Sequence, residues 1–531
     1  MPARSDTLHA ILIFIVGFVA SCGFIMARGG FSSDLGGDPD EAAHAVTALM
    51  VSDYVKEGLG QQPMQFAKTY YADFPRVALG HYPPLFYLVA APFLMALPEV
   101  SVLLVLQAFF LASLSALTYL MGRRLLSPGL ALLAGLSTLA IPVALKLTLH
   151  VMSDILFAVF CLWAALLWAG FLRAPSMRRS LLWGCVAAGA ILTKGSGVGL
   201  CLLPPLSTLL ARQWRLLLTP SWWCAALPVA LFAGPWMLYS TKISKEGMTQ
   251  LSPIQYFLEA VPYHLKAVPE LFGWPLTILT VMGLIYGIKA GYKQKILSFE
   301  AASLTGMAIG VIAVLLLVPV GLSTRYMLTL VPVVVIIAAY GMNVIPWPSR
   351  TSHIVKPLLL AAFICVPLIR DGVPQKQVLG FTTAVIKSGM PKIGDPKRNW
   401  LVASDPRGEG AIIAAATFHC LQRSPSLLRI YRGSKELGSS DWMGRNYKQA
   451  FTQEGELLEH LDKVQVSRVF VDLSVPAKRQ SPHEHLLLKA LQSAESRWQL
   501  EFDQPITRRP TETGMLLVYQ RKTTDSANPS H

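Results

Sequence analysis

The sequence predicts a polytopic α-helical membrane protein with an extracytoplasmic α/β domain at its C-terminal end. Three observations predict it. Hydrophobic residues make up 53% of the 531 residues and charged ones only 15%, where soluble domains are about one quarter charged. About eleven apolar runs recur between residues 8 and 369, most of them near the length that crosses a bilayer. Beyond Asp371 these runs stop, and short β-rich segments alternate with helical patterns.

The first run, 8–27, has a basic start at Arg4 and no small-residue cleavage site, so it reads as a retained first helix. Arg4 and Arg28 flank it on both sides, and its orientation follows from the later connectors. Basic sets recur at alternate turns: Arg123 and Arg124; Arg173, Arg178 and Arg179; Arg212 and Arg215; Lys289, Lys293 and Lys295; Arg350 and Lys356. Placing all of them in the cytoplasm puts the N-terminus there too, and 29–82 outside. The apolar piece 83–97 is short and bounded by prolines. If it spanned, the first two basic sets would fall outside, so it reads as a surface helix at the outer interface.

The remaining spans follow at 100–121, 130–145, 155–172, 181–192, 198–210, 222–239, 271–288, 301–320, 327–344 and 357–369. Their outer connectors are 146–154, the Thr193-Lys194 turn, a second long loop at 240–270, and Ser323-Thr324-Arg325-Tyr326. This placement accounts for much of the net charge of +15 without nucleic acid. The seven cysteines are scattered with no CxxC pair, which speaks against a disulfide framework or a zinc site.

The domain reading is therefore a membrane domain over 1–371, with 28–99 its first outer loop and juxtamembrane helices. A soluble α/β domain follows over 372–521, then a polar, disordered tail over 522–531. Within the soluble domain, strands fall at 400–403, 428–431, 469–471 and 515–519. Helices fall at 410–421, 454–461 and 483–494.

The densest chemistry lies just after the first helix, in Gly36-Gly37-Asp38-Pro39-Asp40-Glu41-Ala42-Ala43-His44. Carboxylates are costly inside lipid, so a cluster at its edge calls for a reason. Helix capping is one: Asp38 can cap a helix opened by Pro39, with Asp40 and Glu41 at its positive end. Catalysis is the other. The outer surface also collects Arg76, His81, Tyr82, Asp154, Lys194 and Arg325. A shielded carboxylate deprotonates an attacking hydroxyl, and cations take up the charge of a departing phosphate.

These residues carry a family resemblance. Asp40-Glu41 after the first helix resembles the Asp-Glu pair of the GT-C glycosyltransferases. His81-Tyr82-Pro83-Pro84-Leu85-Phe86-Tyr87 resembles their His-Pro-Pro-Leu-type stretch, and Thr193-Lys194-Gly195 their Thr-Lys-Gly between two middle helices. Pro235-Trp236 and Arg325-Tyr326-Met327-Leu328 resemble their later signatures. The resemblance extends to protein mannosyltransferase-like proteins and aminoarabinose transferases of lipid A. The resemblance covers roughly 8–344 and implies a GT-C-like membrane domain holding the catalytic residues. It also implies inverting transfer from a polyprenyl-phosphate sugar on the extracytoplasmic face. By match to the Asp-Glu pair, Asp40 is the base or the acceptor-orienting carboxylate, with Asp38 or Glu41 as its neighbours in that role. Asp154 matches the second-loop aspartate. His81, Tyr82, Lys194, Arg325, Arg76 and His44 are the expected substrate-binding set. The implied partners are a lipid-linked sugar donor, a lipid, glycan or protein acceptor, and membrane lipids of the inner (plasma) membrane. No nucleic acid is implied.

Each residue also has a plainer role. Asp154 can cap the following helix, Lys194 can snorkel, His44 can pack, His81 can shape the turn before two prolines, and Arg325 can anchor a helix. A divalent metal suits the oxygens of Asp40 and Glu41, but no spacing demands one. Gly195-Ser196-Gly197-Val198-Gly199 follows no strand, so it reads as a close turn between helices and not as a nucleotide loop. The competing function is a transporter or flippase for a lipid-linked saccharide. That would place ionisable groups and broken helices at the midplane, whereas these carboxylates gather in outer loops.

Overall fold

The computed structural model describes residues 4–78, 80–294, 297–343, 345–346, 348–441 and 444–522. From Thr523 on, the tail read as disordered lies outside the described residues, as do Lys295 of one basic connector and Val344 at the end of one predicted span. The chain divides into two compact units. One comprises Met1–Arg28, Gly80–Phe86 and Leu104–Gln375; the other comprises Gly29–Leu79, Tyr87–Leu103 and Lys376–His531.

The first unit is helical, and every predicted apolar run lies on helix. Among the described residues, seven helices are long and apolar enough to cross a membrane, or eight if one bent pair is a single span. This is a multi-pass membrane protein. The bent pair is the predicted span 130–145, which breaks by 47° between Pro128–Thr138 and Pro142–Thr148. Pro142 supplies no amide and disfavours helix at the residue before it, so the break falls where the sequence puts the proline. The glycine turn behaves as predicted. Gly199 lies so close to Gly310 of the Phe299–Leu317 helix that a Cβ on either would collide with the other's carbonyl.

One element departs from the sequence reading. The long loop expected at 240–270 is mostly helix: Gly234–Glu246 ends there, and a second helix starts at Pro253 and continues to Gln294 across a break at Gly273. The charges of Lys242, Lys245, Glu246 and Lys266 suggested a loop, but Tyr256, Ala260, His264 and Ala267 are all buried. Their spacing of four, four and three is a helical stripe. Gly273, at φ +75°, turns the chain between this outer piece and the apolar part beyond.

Charged pairs gather at the helix ends of this unit. Glu300, 4% exposed, accepts from Arg124 at 3.3 Å and also from Arg173. Asp6 of the first helix pairs with Arg123 at 3.0 Å. Asp154, at the far end of the helix that finishes at Arg173, pairs with Lys194. Arg28, leaving the first helix, donates to the carbonyls of Val373 and Pro374, just past the last helix.

In the second unit a five-stranded sheet forms from β1 (Arg398–Ala403), β2 (Leu428–Arg432), β3 (Val466–Asp472), β4 (Trp498–Arg509) and β5 (Glu512–Arg521). Its spatial order is β2-β1-β3-β5-β4. The first three strands run parallel, with β5 antiparallel to both β3 and β4. Alternate residues of β1 serve opposite faces. Leu401 and Ala403 join Leu457, Leu461, Leu487 and Leu491 of the helices Glu454–Lys463 and Pro482–Ser493. Trp400, on the other face, packs tilted against Phe470, with ring centres 5.3 Å apart. All four predicted strands and three predicted helices are present, while β4 and the helix Phe381–Lys387 were not foreseen.

The first-loop segments are built into this same unit. The helix Glu41–Asp53 packs along Pro406–His419, where Ala42 lies against Gly410 so closely that a Cβ there would meet it at 3.0 Å.

Candidate active site

The expected site residues fall into two groups, one in each unit. In the first unit, three separate connectors supply one cluster. Lys194 follows the helix Met177–Thr193, where a cation suits the negative end of the dipole. Its Nζ lies 2.5 Å from Asp154 Oδ1, with the two side chains 16% and 5% exposed. Asp154 is the first residue of its helix, but Ser153 holds the cap position, and the Asp154 carboxylate is directed to Lys194. Lys194 Nζ also sits 4.5 Å from the ring centre of Tyr326, and the Arg325 guanidinium lies 5.2 Å from that same ring. Two cations therefore lie by one aromatic ring beside a carboxylate, an arrangement suited to a phosphate. The turn Gly80-His81-Tyr82 belongs to this unit, with Gly80 at φ +75° over Ile243. Burial holds the His81 imidazole below its ordinary pKa, against the pull of Glu246.

In the second unit, the Gly36–Glu41 stretch is a closed turn. Asp38 Oδ1 accepts the Asp40 amide at 3.0 Å. The helix opens at Glu41 and not at Pro39, so Asp40 takes the cap position, but its side chain makes no capping bond. Glu41 has 0% exposure. Its Oε2 accepts the amides of Gly36 and Gly37, each at 3.1 Å, and its Oε1 meets Lys376 Nζ at 2.5 Å. His44, 1% exposed, bonds through Nδ1 to the Tyr87 hydroxyl at 3.0 Å, so it ties two helices together in a packing role.

Arg76 is 9% exposed and donates to the carbonyl of Pro406. Burial, with repulsion from Arg432, brings its guanidinium down to about 9, against the stabilising charges of Glu409 and Asp40. Arg407, one residue beyond Pro406, is likewise lowered by burial and by Arg509, while Asp405 and Asp38 oppose the shift. Each of the two aspartates of the turn thus lies within electrostatic reach of an arginine.

The sequence offered Asp40 and Glu41 as oxygens for a divalent metal. Glu41 does not fit that role, because one oxygen is committed to Lys376 and the other to two amides. Among the described residues, no three His, Cys, Asp or Glu side chains are grouped to hold an ion. Lys376, Tyr326 and Arg407 were absent from the expected set. Tyr326 carried a signal in its place beside Arg325, whereas Lys376 and Arg407 stand in no motif and no periodic pattern.

The arrangement of apolar helices followed by a C-terminal sheet domain is a fold shared with proteins of known structure. AglB, the oligosaccharyltransferase of Archaeoglobus fulgidus, is similar in its complex with an inhibitory peptide and a dolichol-phosphate. The TM-score is 0.55 at 13% identity, over 98% of this chain and 75% of that one. The same oligosaccharyltransferase in complex with Zn and sulfate gives a TM-score of 0.53 at 13% identity, over 86% and 67%. ArnT from Cupriavidus metallidurans, bound to undecaprenyl phosphate, gives 0.44 at 13% identity, over 78% and 76%. No protein-family model matches the chain, and no curated protein matches it in sequence.

Proposed function

We propose that this protein is an integral membrane glycosyltransferase that moves a sugar, with inversion, from a polyprenyl-phosphate donor to an acceptor hydroxyl. The reaction runs on the extracytoplasmic face of the inner (plasma) membrane, and the α/β domain lies on that side. The observation that carries this reading is the Asp154–Lys194–Tyr326–Arg325 cluster, in which three connectors bring a carboxylate and two cations together within the GT-C fold.

In this reading Asp40 takes the proton from the acceptor hydroxyl as that oxygen attacks the anomeric carbon. The bond from that carbon to the phosphate oxygen breaks, and the lipid phosphate leaves with the electron pair. Lys194 and Arg325 stabilise the charge that grows on it, and Asp154 orients Lys194. His81 and Tyr82 contact the donor, and Arg76 supports the carboxylate side. His44 and Glu41 hold the turn. Asp38 is the alternative base.

The test is transfer or sugar release from a panel of polyprenyl-phosphate sugars by purified protein in lipid, comparing wild type with Asp40→Asn. Loss of about 10²–10⁴-fold in the variant, with lipid binding retained, is the expected result. Equal rates would move the base to Asp38 or Asp154. No transfer from any donor, together with movement of the lipid across vesicles, would replace the enzyme by a flippase.

A further inference from the structure

We propose that Lys376 is a positioning residue for the Asp38–Asp40 turn, so that the segment opening the C-terminal domain is part of the catalytic apparatus. The inference rests on the glycosyltransferase reading above. Glu41 and Lys376 are buried together, with side chains 0% and 1% exposed and 2.5 Å between Nζ and Oε1. Neither charge is tolerable at such a site without the other. Glu41 is adjacent to Asp40 in the chain, and its second oxygen gathers the amides of Gly36 and Gly37 on the far side of Asp38. The turn carrying both aspartates is therefore a ring closed by one carboxylate, and Lys376 holds that carboxylate from the other side.

Lys376 also acts through its backbone. Its carbonyl accepts the Ser33 hydroxyl at 2.8 Å and lies against Gly29, where a Cβ would strike it at 2.6 Å; Gly29 sits at φ +78°. Two residues on, the Val378 carbonyl accepts the Asp34 amide at 2.7 Å, and the Phe381 amide donates to Asp34 Oδ2 at 2.8 Å. One short strap thus grips the loop along its length, and its ammonium reaches the turn at the end. Without that ammonium, Glu41 binds a proton or turns towards water. The Gly36 and Gly37 amides are then released, and Asp40 loses its fixed direction.

The test uses the full chain in lipid and two readouts. Hydrogen exchange over 30–45 reports the turn whether or not the enzyme turns over, and steady-state kinetics report the chemistry. In Lys376→Met, exchange at Gly36 and Gly37 rises while β3 stays protected. The kcat falls about 100-fold, the loss that a misplacement of about 1 Å produces, with donor KM unchanged. Lys376→Arg restores part of both. Lys489→Met, which breaks an exposed pair with Glu454, changes neither. Wild-type exchange and kcat in Lys376→Met would overturn the proposal, as would a loss confined to the folded fraction with kcat per folded molecule intact. If Lys376→Met does not fold, the charge-free double variant Glu41→Gln/Lys376→Met is read by the same criteria. A wild-type protein inactive with every donor counts against the glycosyltransferase reading, while the exchange arm still decides whether Lys376 fixes the turn.

Discussion

In the proposed function the Asp154–Lys194 contact carries both stability and chemistry. The pair is almost fully buried, so removing Lys194 alone strands a carboxylate in a site that cannot solvate it. Lys194→Met is expected to cost about 3–5 kcal/mol, read as a lower midpoint of thermal unfolding in lipid. The double variant Asp154→Leu/Lys194→Met should recover most of that midpoint without recovering transfer, because the phosphate still lacks its cation. Recovery of both would reduce the pair to packing. These residues were legible in the sequence because their chemistry has few uses at a membrane surface. Lys376 was not, because it stands alone between two glutamines and its partner lies 335 residues away.

Among the elements, the clearest departure is the outer piece of the Pro253–Gln294 helix. Its charged residues face outwards and mask a buried stripe, so composition argued for a loop where period argued for a helix. The strands at 400–403 and 469–471 were legible for the opposite reason, since both faces are covered and the runs are continuously apolar. The 12-residue strand β4 was not legible, because two of its four buried residues, Gln504 and Arg508, are polar.

Two outcomes belong at this scale. Gly199→Ala puts a methyl into the backbone of the Phe299–Leu317 helix, and overpacking of this kind costs about 1–3 kcal/mol. The loss should appear in the unfolding midpoint, whereas Gly195→Ala, with open space around it, should not move it. In the sheet domain, burial raises the Glu484 carboxyl to about 8; the Ser481 amide opposes this, and Glu409, Asp472 and Asp405 add to it. The folded state therefore holds this proton more tightly than the unfolded chain does. Its contribution to stability is full below the usual carboxylate range, near pH 4.5, and is lost as pH rises through about 8. Glu484→Gln keeps the size and shape of the side chain and should flatten that fall when unfolding is followed from pH 5 to pH 9. An unchanged pH profile would mean that Glu484 is ionised in the fold.

At the scale of the whole molecule, the acids of the first loop form a pattern. Glu41 meets Lys376, Asp53 takes a two-pronged contact from Arg423 at 2.6 and 2.8 Å, and Asp73 meets Lys397 and Arg429 at 2.7 and 2.9 Å. The bases all lie beyond residue 375. Alternating basic connectors offer a topology signal in the sequence because that code is local. This pairing was not readable, because nothing near any of the acids announces its base. Arg423→Met should leave Asp53 buried and uncompensated, at a cost of about 3–5 kcal/mol. Limited proteolysis should then cut within 29–79 well before the membrane helices.

The same pairing sets an order of events during synthesis. Glu41 leaves the ribosome 335 residues ahead of the lysine that neutralises it. At roughly 5–20 residues per second, that interval is about 17 to 67 s. Throughout it the turn lacks the ammonium that pairs with Glu41. In the proposed mechanism a nascent chain can thus insert before Asp40 is usable, and competence arrives in one late step when Lys376 emerges.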